Sequence, residues 1–218
     1  MASSGTYAWD PETEEFVSEA FERVGIDPAT LTMRHSRSAR RSLNLLFAYW
    51  ATKGVRLFSV DEQTKDLVDG TASYAPASGT LAILEAVIRR SGVDTPVHKI
   101  GREQYQQIPD KTAEGLPSML FYDRKGALMY LWNVPENSTD DLRYWRLRRI
   151  QDVTTAAETL DVPYHWFEAM ASGLAEFLSI KFAPDRYGGL KAIASDRFRS
   201  AMEEDRERVD TTFTLGGL

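Results

Sequence analysis

The chain has 218 residues, no cysteine and a formal net charge of −6 at pH 7. Without cysteine, it has no disulfides, thiolate metal sites or cysteine nucleophiles. The acidic total argues against dedicated nucleic-acid binding, which depends on clustered lysine and arginine. With 43% hydrophobic and 27% charged residues, the composition is that of a globular protein rather than a disordered one.

The first residues carry neither a basic stretch nor an apolar one, so we expect no signal peptide and a chain that is cytosolic at synthesis. No run approaches the ~18–20 apolar residues of a membrane span. The sequence therefore predicts no association with a membrane.

Two helices are predicted before residue 54. Asp10 is a suitable N-cap and apolar residues recur at helical spacing, which predicts a first helix over Pro11–Val24, ended by Gly25. A second helix is predicted over Met33–Lys53, ended by Gly54.

Between residues 55 and 151 the hydrophobic period changes to that of strands separated by turn residues. We interpret this block as a compact antiparallel β module with one helical turn over Arg102–Gln107. The predicted strands are Val55–Val60, Thr71–Tyr74, Leu81–Arg90, Pro96–Ile100, Met119–Tyr122, Ala127–Trp132 and Leu142–Arg149.

Helical periodicity returns at Val162, and Ala183-Pro184 ends that predicted helix. A last helix is predicted over Leu190–Val209. Its expected inward residues are Ile193, Ala194, Arg197, Phe198, Ala201 and Met202.

The predicted fold class is α+β: an antiparallel helical bundle with an inserted antiparallel β domain and an extended C-terminal arm. The predicted division is 1–54 for the N-terminal helices, 55–151 for the β domain, 152–210 for the C-terminal helices and 211–218 for the arm. The arm carries near-alternate apolar residues and fits no core, so binding and disorder are both open for it.

A search for catalytic chemistry finds little. The sequence has no glycine-rich phosphate loop, no HExxH and no GxSxG. Its three histidines are far apart; His165 could be a general base, but a structural role is favoured. The sequence predicts no catalytic residue, no metal site and no cofactor.

The first predicted helix is acidic and the first turns of the second are basic, with Arg34, Arg37 and Arg41 on one face. One interpretation is a phosphate-binding surface. The favoured one is pairing between the two helices, within one protomer or across a subunit boundary. The residues of the predicted subunit interface are Glu15, Glu19 and Glu22 on the first helix and Arg37, Arg40 and Arg41 on the second.

A second basic set lies in the last predicted strand: Arg143, Arg146, Arg148 and Arg149. Because these residues interleave with apolar ones, we expect a strand with one charged face rather than a platform on which RNA bases stack.

Most of the chain, about Pro11 to Asp210, resembles the head-to-tail adaptor (connector) proteins of short-tailed bacteriophages, of the tail tubular protein A or packaged-DNA stabilisation type. The matching stretches are TMRHSRSARRSLNLLFAYWATKGVRLFSVDEQT, TASYAPASGTLAILEAVIRR, NVPENSTDDLRYWRLRRIQDV and DVPYHWFEAMASGLAEFLSIKFAP…DRFRSAMEEDRE.

The resemblance implies a structural virion protein without enzymatic activity or cofactor. Roughly twelve copies would form a ring that joins the portal to the tail and lines the DNA exit channel. The arm would reach into the portal, and the β domain would face the tail or nozzle protein. Genomic DNA would pass without specific binding. The expected place is the head–tail junction of the virion, with assembly in the host cytoplasm. The arm residues concerned are Thr212, Phe213, Leu215 and Leu218.

Three alternatives stay open. The chain could be a tail-completion protein, a nucleic-acid-associated factor that uses the Arg34–Arg41 helix, or an enzyme with an unrecognised site. A monomer that binds duplex DNA with a steep salt dependence would favour the second, and a deep pocket with converging ionisable groups the third.

Overall fold

The computed structural model describes residues 9–54 and 59–205. Two compact units divide the chain: Met1–Phe58 with Ile150–Leu218 form a helical unit, and Ser59–Arg149 form a β unit. Helices and sheets together confirm the predicted α+β class. The helices are α1 (Thr13–Val24), α2 (Met33–Lys53), α3 (Arg102–Gln107), α4 (Phe167–Phe182) and α5 (Tyr187–Glu204).

Helix α1 begins two residues later than predicted, and Asp10 is not its cap. The N-cap position belongs to Glu12, which pairs as an isolated bridge with Thr159. The backbone N–H and the hydroxyl of Thr13 both donate to the carbonyl of Glu158, at 2.9 and 2.8 Å. This extended pairing occupies the backbone before α1 and delays the helix. The C-terminus is as predicted, with Gly25 at φ +89°.

Helix α2 has the predicted bounds, because both of its end signals are local in sequence. Thr32 stands at the N-cap, and Gly54 ends the helix at φ +86°. Its buried stripe includes Ala39, Leu43 and Trp50. The opposite side of the helix is left to solvent.

Helix α4 is the centre of the helical unit, and ten of its sixteen residues are buried. At Gly173 a Cβ would lie 3.0 Å from Leu46 Cδ1, so the missing side chain lets α2 approach closely. Further along, Lys181 Nζ donates to Ser42 Oγ at 2.6 Å. Both contacts join α4 to α2.

Helix α5 starts three residues before its predicted start because the 3₁₀ turn Pro184–Arg186 leads directly into it. In the described residues it ends at Glu204, and the predicted end at Val209 lies outside them. Only Ala194 and Ala201 of α5 are buried. The inward placement of Ile193 and Arg197 was wrong, since both residues are about half exposed.

The β unit contains two four-stranded sheets with strand orders β1-β8-β3-β4 and β2-β7-β6-β5. The strands are β1 (Val60–Asp66), β2 (Ser73–Tyr74), β3 (Thr80–Arg90), β4 (Val93–Pro96), β5 (His98–Ile100), β6 (Met119–Asp123), β7 (Leu128–Trp132) and β8 (Asp141–Arg148). The first sheet is antiparallel. In the second, β5 pairs in parallel with β6, so the prediction of a wholly antiparallel module was wrong.

Two further expectations in this unit were wrong. The first strand was expected over Val55–Val60, but β1 begins at Val60, and residues 55–58 lie outside the described part. Strand β1 pairs along its length with β8, so pairing, not apolar content, sets its position. Strand β8 has no single charged face either. Arg146 alternates in step with buried Tyr144 and is itself 7% exposed.

Candidate interaction surface

The predicted acidic residues lie together on the outer side of α1. Glu15, Glu19 and Glu22 are all exposed, and their spacing of four and three residues puts them on one helix face. The opposite side of α1 packs Phe16, Ala20 and other apolar residues into the core. We call these three glutamates the acidic face.

A groove lined mainly by aromatic and acidic residues runs beside the acidic face. It has a volume of about 580 Å³ and takes residues from α1, from the 3₁₀ turn Tyr164–Trp166 and from α4. Trp9 and Tyr164 are 62% and 71% exposed, and their ring centroids lie 6.2 Å apart. We call it the aromatic groove; its lining is Trp9, Pro11, Glu15, Phe16, Glu19, Arg23, Tyr164, His165, Phe167, Glu168 and Ala171.

Arg23 fixes two of the three carboxylates of the groove. Its guanidinium donates to Glu19 at 2.7 Å, to Glu168 at 2.8 and 2.9 Å and to the hydroxyl of Ser172 at 2.7 Å. The hydrogen bond from Arg23 lowers the pKa of Glu168, and the bond to Glu168 raises the pKa of Arg23. Three carboxylates against one guanidinium leave the groove lining acidic.

Glu15 differs from these two glutamates. Within residues 9–54 and 59–205, its carboxylate makes no ion pair and no hydrogen bond to a side chain. It lies in the same lining as Trp9 and Tyr164. A free carboxylate beside exposed aromatic rings is a suitable environment for a guanidinium group, which stacks on rings and binds carboxylates.

His165 also lines the groove, where its Nε2 lies 3.3 Å from Asp205 Oδ1. This contact joins the 3₁₀ turn before α4 to the end of α5. No group of three histidine or acidic side chains that could hold a metal ion occurs in the part of the chain that the structure describes.

The predicted basic residues lie on the outer side of α2, and we call Arg34, Arg37, Arg40 and Arg41 the basic face. Together with Asn44 they line a cavity of about 510 Å³ that has no acidic residue in its lining. Arg34, Arg37 and Arg41 are exposed. Arg40 is half-buried and donates to the carbonyl of Thr154, so its guanidinium is already engaged within the chain.

The segment that receives Arg40 is itself tied to α2. Asn44 Nδ2 donates to the carbonyl of Val153 at 3.1 Å, and the N–H of Val153 donates to Asn44 Oδ1 at 2.9 Å. Glu158 accepts the hydroxyl of Thr154 and the N–H groups of Thr154 and Thr155, which lowers its pKa to about 2. This hydrogen-bonded segment gives Arg40 a partner within the chain, although Arg40 lines the same cavity as the other three arginines.

The acidic and basic faces do not pair with each other within the protomer. Among the described residues, no ion pair joins Glu15, Glu19 or Glu22 to an arginine of the basic face, and Glu19 turns to Arg23 instead. A cavity of about 530 Å³ lies between α1 and α2, lined by Glu14 and Ser18 on one side and Arg37 on the other. Of the two pairing alternatives, the one across a subunit boundary stays a prediction.

Sequence reasoning missed the aromatic groove itself. Trp9, Tyr164 and Glu168 come from opposite ends of the chain, and periodicity within either segment does not show that they meet. The aromatic run around Tyr164 was the available signal. The predicted arm residues Thr212, Phe213, Leu215 and Leu218 lie outside the described residues.

Comparison with known proteins adds one match. A family model described as SU10 adaptor protein matches residues 18–216, and so covers nearly the whole chain. The search of curated proteins found no match. Among the described residues, no helix is both long enough and apolar enough to cross a membrane.

Proposed function

The chain belongs to the SU10 adaptor protein family, and from this membership we propose that it is a structural virion protein that joins the phage portal to the tail. The match over residues 18–216 carries the proposal, because it includes most of both helical segments and the whole β unit. The family is one of head–tail adaptors, so the role that follows from membership is structural. We propose no enzymatic activity for it.

We propose that the copies form a ring, of roughly twelve members by the resemblance stated above. A ring forms when one surface of each copy meets a different surface of the next and the rotation between copies closes the assembly. The two faces at the subunit boundary are Glu15, Glu19 and Glu22 on one copy and Arg37, Arg40 and Arg41 on the next. Support comes from the exposure of the three glutamates and of Arg37 and Arg41, and from the lack of ion pairs between the two sets within the described part of one copy.

The ring would also line the channel through which the genome leaves. A net charge of −6 per copy repels phosphate groups, which favours passage of DNA without specific binding. In the proposed division, residues 55–151 face the tail or nozzle protein, and 1–54 with 152–210 form the helical body. The arm, 211–218, reaches the portal through Thr212, Phe213, Leu215 and Leu218.

Co-sedimentation with the portal ring of the same phage tests the proposal. The full-length chain should sediment with the portal at a fixed ratio, and removal of Thr211–Leu218 should abolish binding. A matched pair sharpens the result: Phe213→Ser with Leu215→Ser should weaken binding, whereas Thr211→Ser with Thr214→Ser should not. Binding that survives truncation would leave the adaptor role intact and move the contact to the helical body.

Absence of portal binding by a folded full-length chain would overturn the adaptor proposal. Binding to the tail alone would then indicate a tail-completion protein. Duplex DNA binding that weakens steeply with salt would indicate a nucleic-acid-associated factor acting through the basic face.

A further inference from the structure

We propose that the aromatic groove is an arginine-binding site, and that its occupant is the basic face of a second copy of this chain. Arg41 enters the groove beside Glu15, Arg37 meets Glu19 and Arg34 meets Glu22. The inference rests on the proposed ring only in requiring that copies associate, and it adds the receptor, the register and the direction of the contact.

The spacing of the charged residues along the two helices determines the register of the contact. On the acidic face the intervals are four and then three residues, from Glu15 through Glu19 to Glu22. On α2 the exposed arginines repeat these intervals in reverse, from Arg41 through Arg37 to Arg34. At ~1.5 Å of rise per residue, both sets extend over about 10 Å of helix axis. An antiparallel contact between α1 and the α2 of another copy therefore aligns all three pairs at once.

The apolar residues beyond these charges fit the same register. Leu45 follows Arg41 by one helical turn and is 60% exposed on the same side of α2. In the antiparallel alignment it falls before Glu15, at the end of the groove formed by Trp9 and Tyr164. The contact thus covers exposed apolar side chains on both copies, which favours association beyond the charge pairs.

The groove is built for a guanidinium rather than for any cation. Trp9, Tyr164 and Phe167 form an edge-to-face cluster with centroids 5.7–6.2 Å apart, and two of these rings are largely exposed. Arginine stacks its planar group on aromatic rings while its fork bonds a carboxylate through two donors, whereas the lysine ammonium is a point charge without that fork. Glu15 supplies the carboxylate that has no partner among the described residues.

The arginines of α2 need such a partner. Arg34 and Arg37 stand three residues apart, and Arg37 and Arg41 four, so like charges face each other along one helix face. Their cavity contains no carboxylate. Arg40 is the exception, since it bonds the carbonyl of Thr154, and we assign it to the edge of the contact.

A second copy fits these observations better than a nucleic acid does. Phosphate could neutralise the basic face, but it would leave Glu15 in the groove without a cation. A second copy satisfies both surfaces in a single contact. Because the two surfaces differ, the contact is heterologous and continues from copy to copy, as a ring requires.

Cysteine cross-linking tests the register directly, since the natural chain has no cysteine. Glu19→Cys and Arg37→Cys are introduced into separate proteins, one carrying a size tag, and the two are mixed under mild oxidation at a concentration at which the wild type assembles. We expect a mixed disulfide dimer, and no dimer from either protein alone. Ser195→Cys, exposed on α5, replaces Arg37→Cys in the control mixture, which should give at least ten-fold less product.

Charge exchange tests the energetics. Arg37→Glu with Arg41→Glu should lower self-association at least ten-fold, as should Glu15→Arg with Glu19→Arg. The chain that carries all four changes should recover association. Lys191→Glu with Arg199→Glu, which changes charge equally on exposed positions of α5, should leave association unchanged. Arg37→Lys with Arg41→Lys keeps the charge but not the planar fork, and should weaken association several-fold.

The outcomes separate this inference from the adaptor role. Portal binding without the mixed disulfide, and with no effect of charge reversal on self-association, overturns the inference and leaves the adaptor role standing. A mixed disulfide without portal binding supports the inference and overturns the adaptor role. If Arg37→Glu with Arg41→Glu abolishes duplex DNA binding but not self-association, the basic face binds phosphate and the inference is wrong.

Discussion

Arginines in the β unit and on α2 differ in where their countercharges come from. Arg146 is buried and donates to both oxygens of Asp61, at 2.6 and 3.1 Å. Arg89 likewise bonds both oxygens of Asp94, and Arg90 bonds Asp140 at 2.7 Å. The basic face of α2 has no such partner within the described residues. The β unit neutralises these arginines internally, whereas the arginines of α2 are left without a carboxylate partner among the described residues.

Burial decides whether a guanidinium group needs a partner within the chain. A buried guanidinium must be paired, because its removal from water costs several kcal/mol unless a carboxylate and hydrogen bonds offset that cost. Arg146 has such partners, since besides its bonds to Asp61 its Nη1 donates to the carbonyl of Ser78 at 2.7 Å. Exposed guanidinium groups stay hydrated, so the absence of a partner costs them little free energy. Burial therefore indicates that Arg146 serves stability, while the proposal above gives the basic face a role in assembly.

Removing the partner of Arg146 should give the largest change. Asp61→Ala leaves a buried charge without its carboxylate, and we expect a loss of ~2 kcal/mol, below the range for fully buried pairs because Asp61 is one-third exposed. Denaturant unfolding of the full chain measures it. Glu62→Ala, at the next and exposed position of β1, should change stability by less than ~0.5 kcal/mol. Equal effects of the two changes would contradict the assignment.

The same pair predicts a dependence on pH. The hydrogen bond from Arg146 holds the pKa of Asp61 below its ordinary value, so the pair stabilises the chain above the unfolded pKa, near ~4. That stability is lost as pH falls through the folded pKa. The gap in unfolding free energy between wild type and Asp61→Asn should therefore narrow from pH 6 to pH 3. A gap that stays constant would show that ionisation of Asp61 does not contribute.

An intermediate effect is expected at Arg23, which lies in the aromatic groove but is paired within the chain. Arg23→Gln removes the bonds to Glu168 and Ser172 and should cost ~1 kcal/mol, because Glu168 is half-exposed. Thermal unfolding measures it, with the exposed Arg199→Gln as the control. The groove should also lose preorganised carboxylates, so self-association should weaken. A loss of stability with unchanged association would restrict Arg23 to a structural role.

Which parts of the fold could be predicted depends on how far apart in the sequence the contacting residues lie. The bounds of α2 were predicted from its helical periodicity and from Gly54, and its N-cap Thr32 likewise acts only on its own helix. Strand β1 was misplaced because its register is set by β8, about eighty residues away in the chain. The charged face expected for β8 was wrong for the same reason, since Asp61 on β1 lets Arg146 turn inward.

The same distinction between local and long-range contacts applies to the interaction surface. Helical spacing predicted that Arg34, Arg37 and Arg41 would share a face, and composition predicted that the first helix would be acidic, because both depend only on local sequence. The aromatic groove needed the tertiary structure, because Trp9 and Tyr164 come from opposite ends of the chain. The reversed spacing of Glu15–Glu22 and Arg34–Arg41 was readable from the sequence. It acquired meaning only once both faces were seen to be exposed and unpaired with each other.

The smallest change in stability is expected at Arg37 and Arg41, in contrast to the large change expected at Asp61. Arg37→Gln with Arg41→Gln removes two like charges one helical turn apart, so the isolated chain should keep its stability or gain ~0.3 kcal/mol. Thermal unfolding at low salt measures this, since salt screens the repulsion. The same variant should lose self-association, which sedimentation measures. A marked loss of stability would show that the basic face has countercharges within the chain, and the distinction between the two groups of arginines would fail.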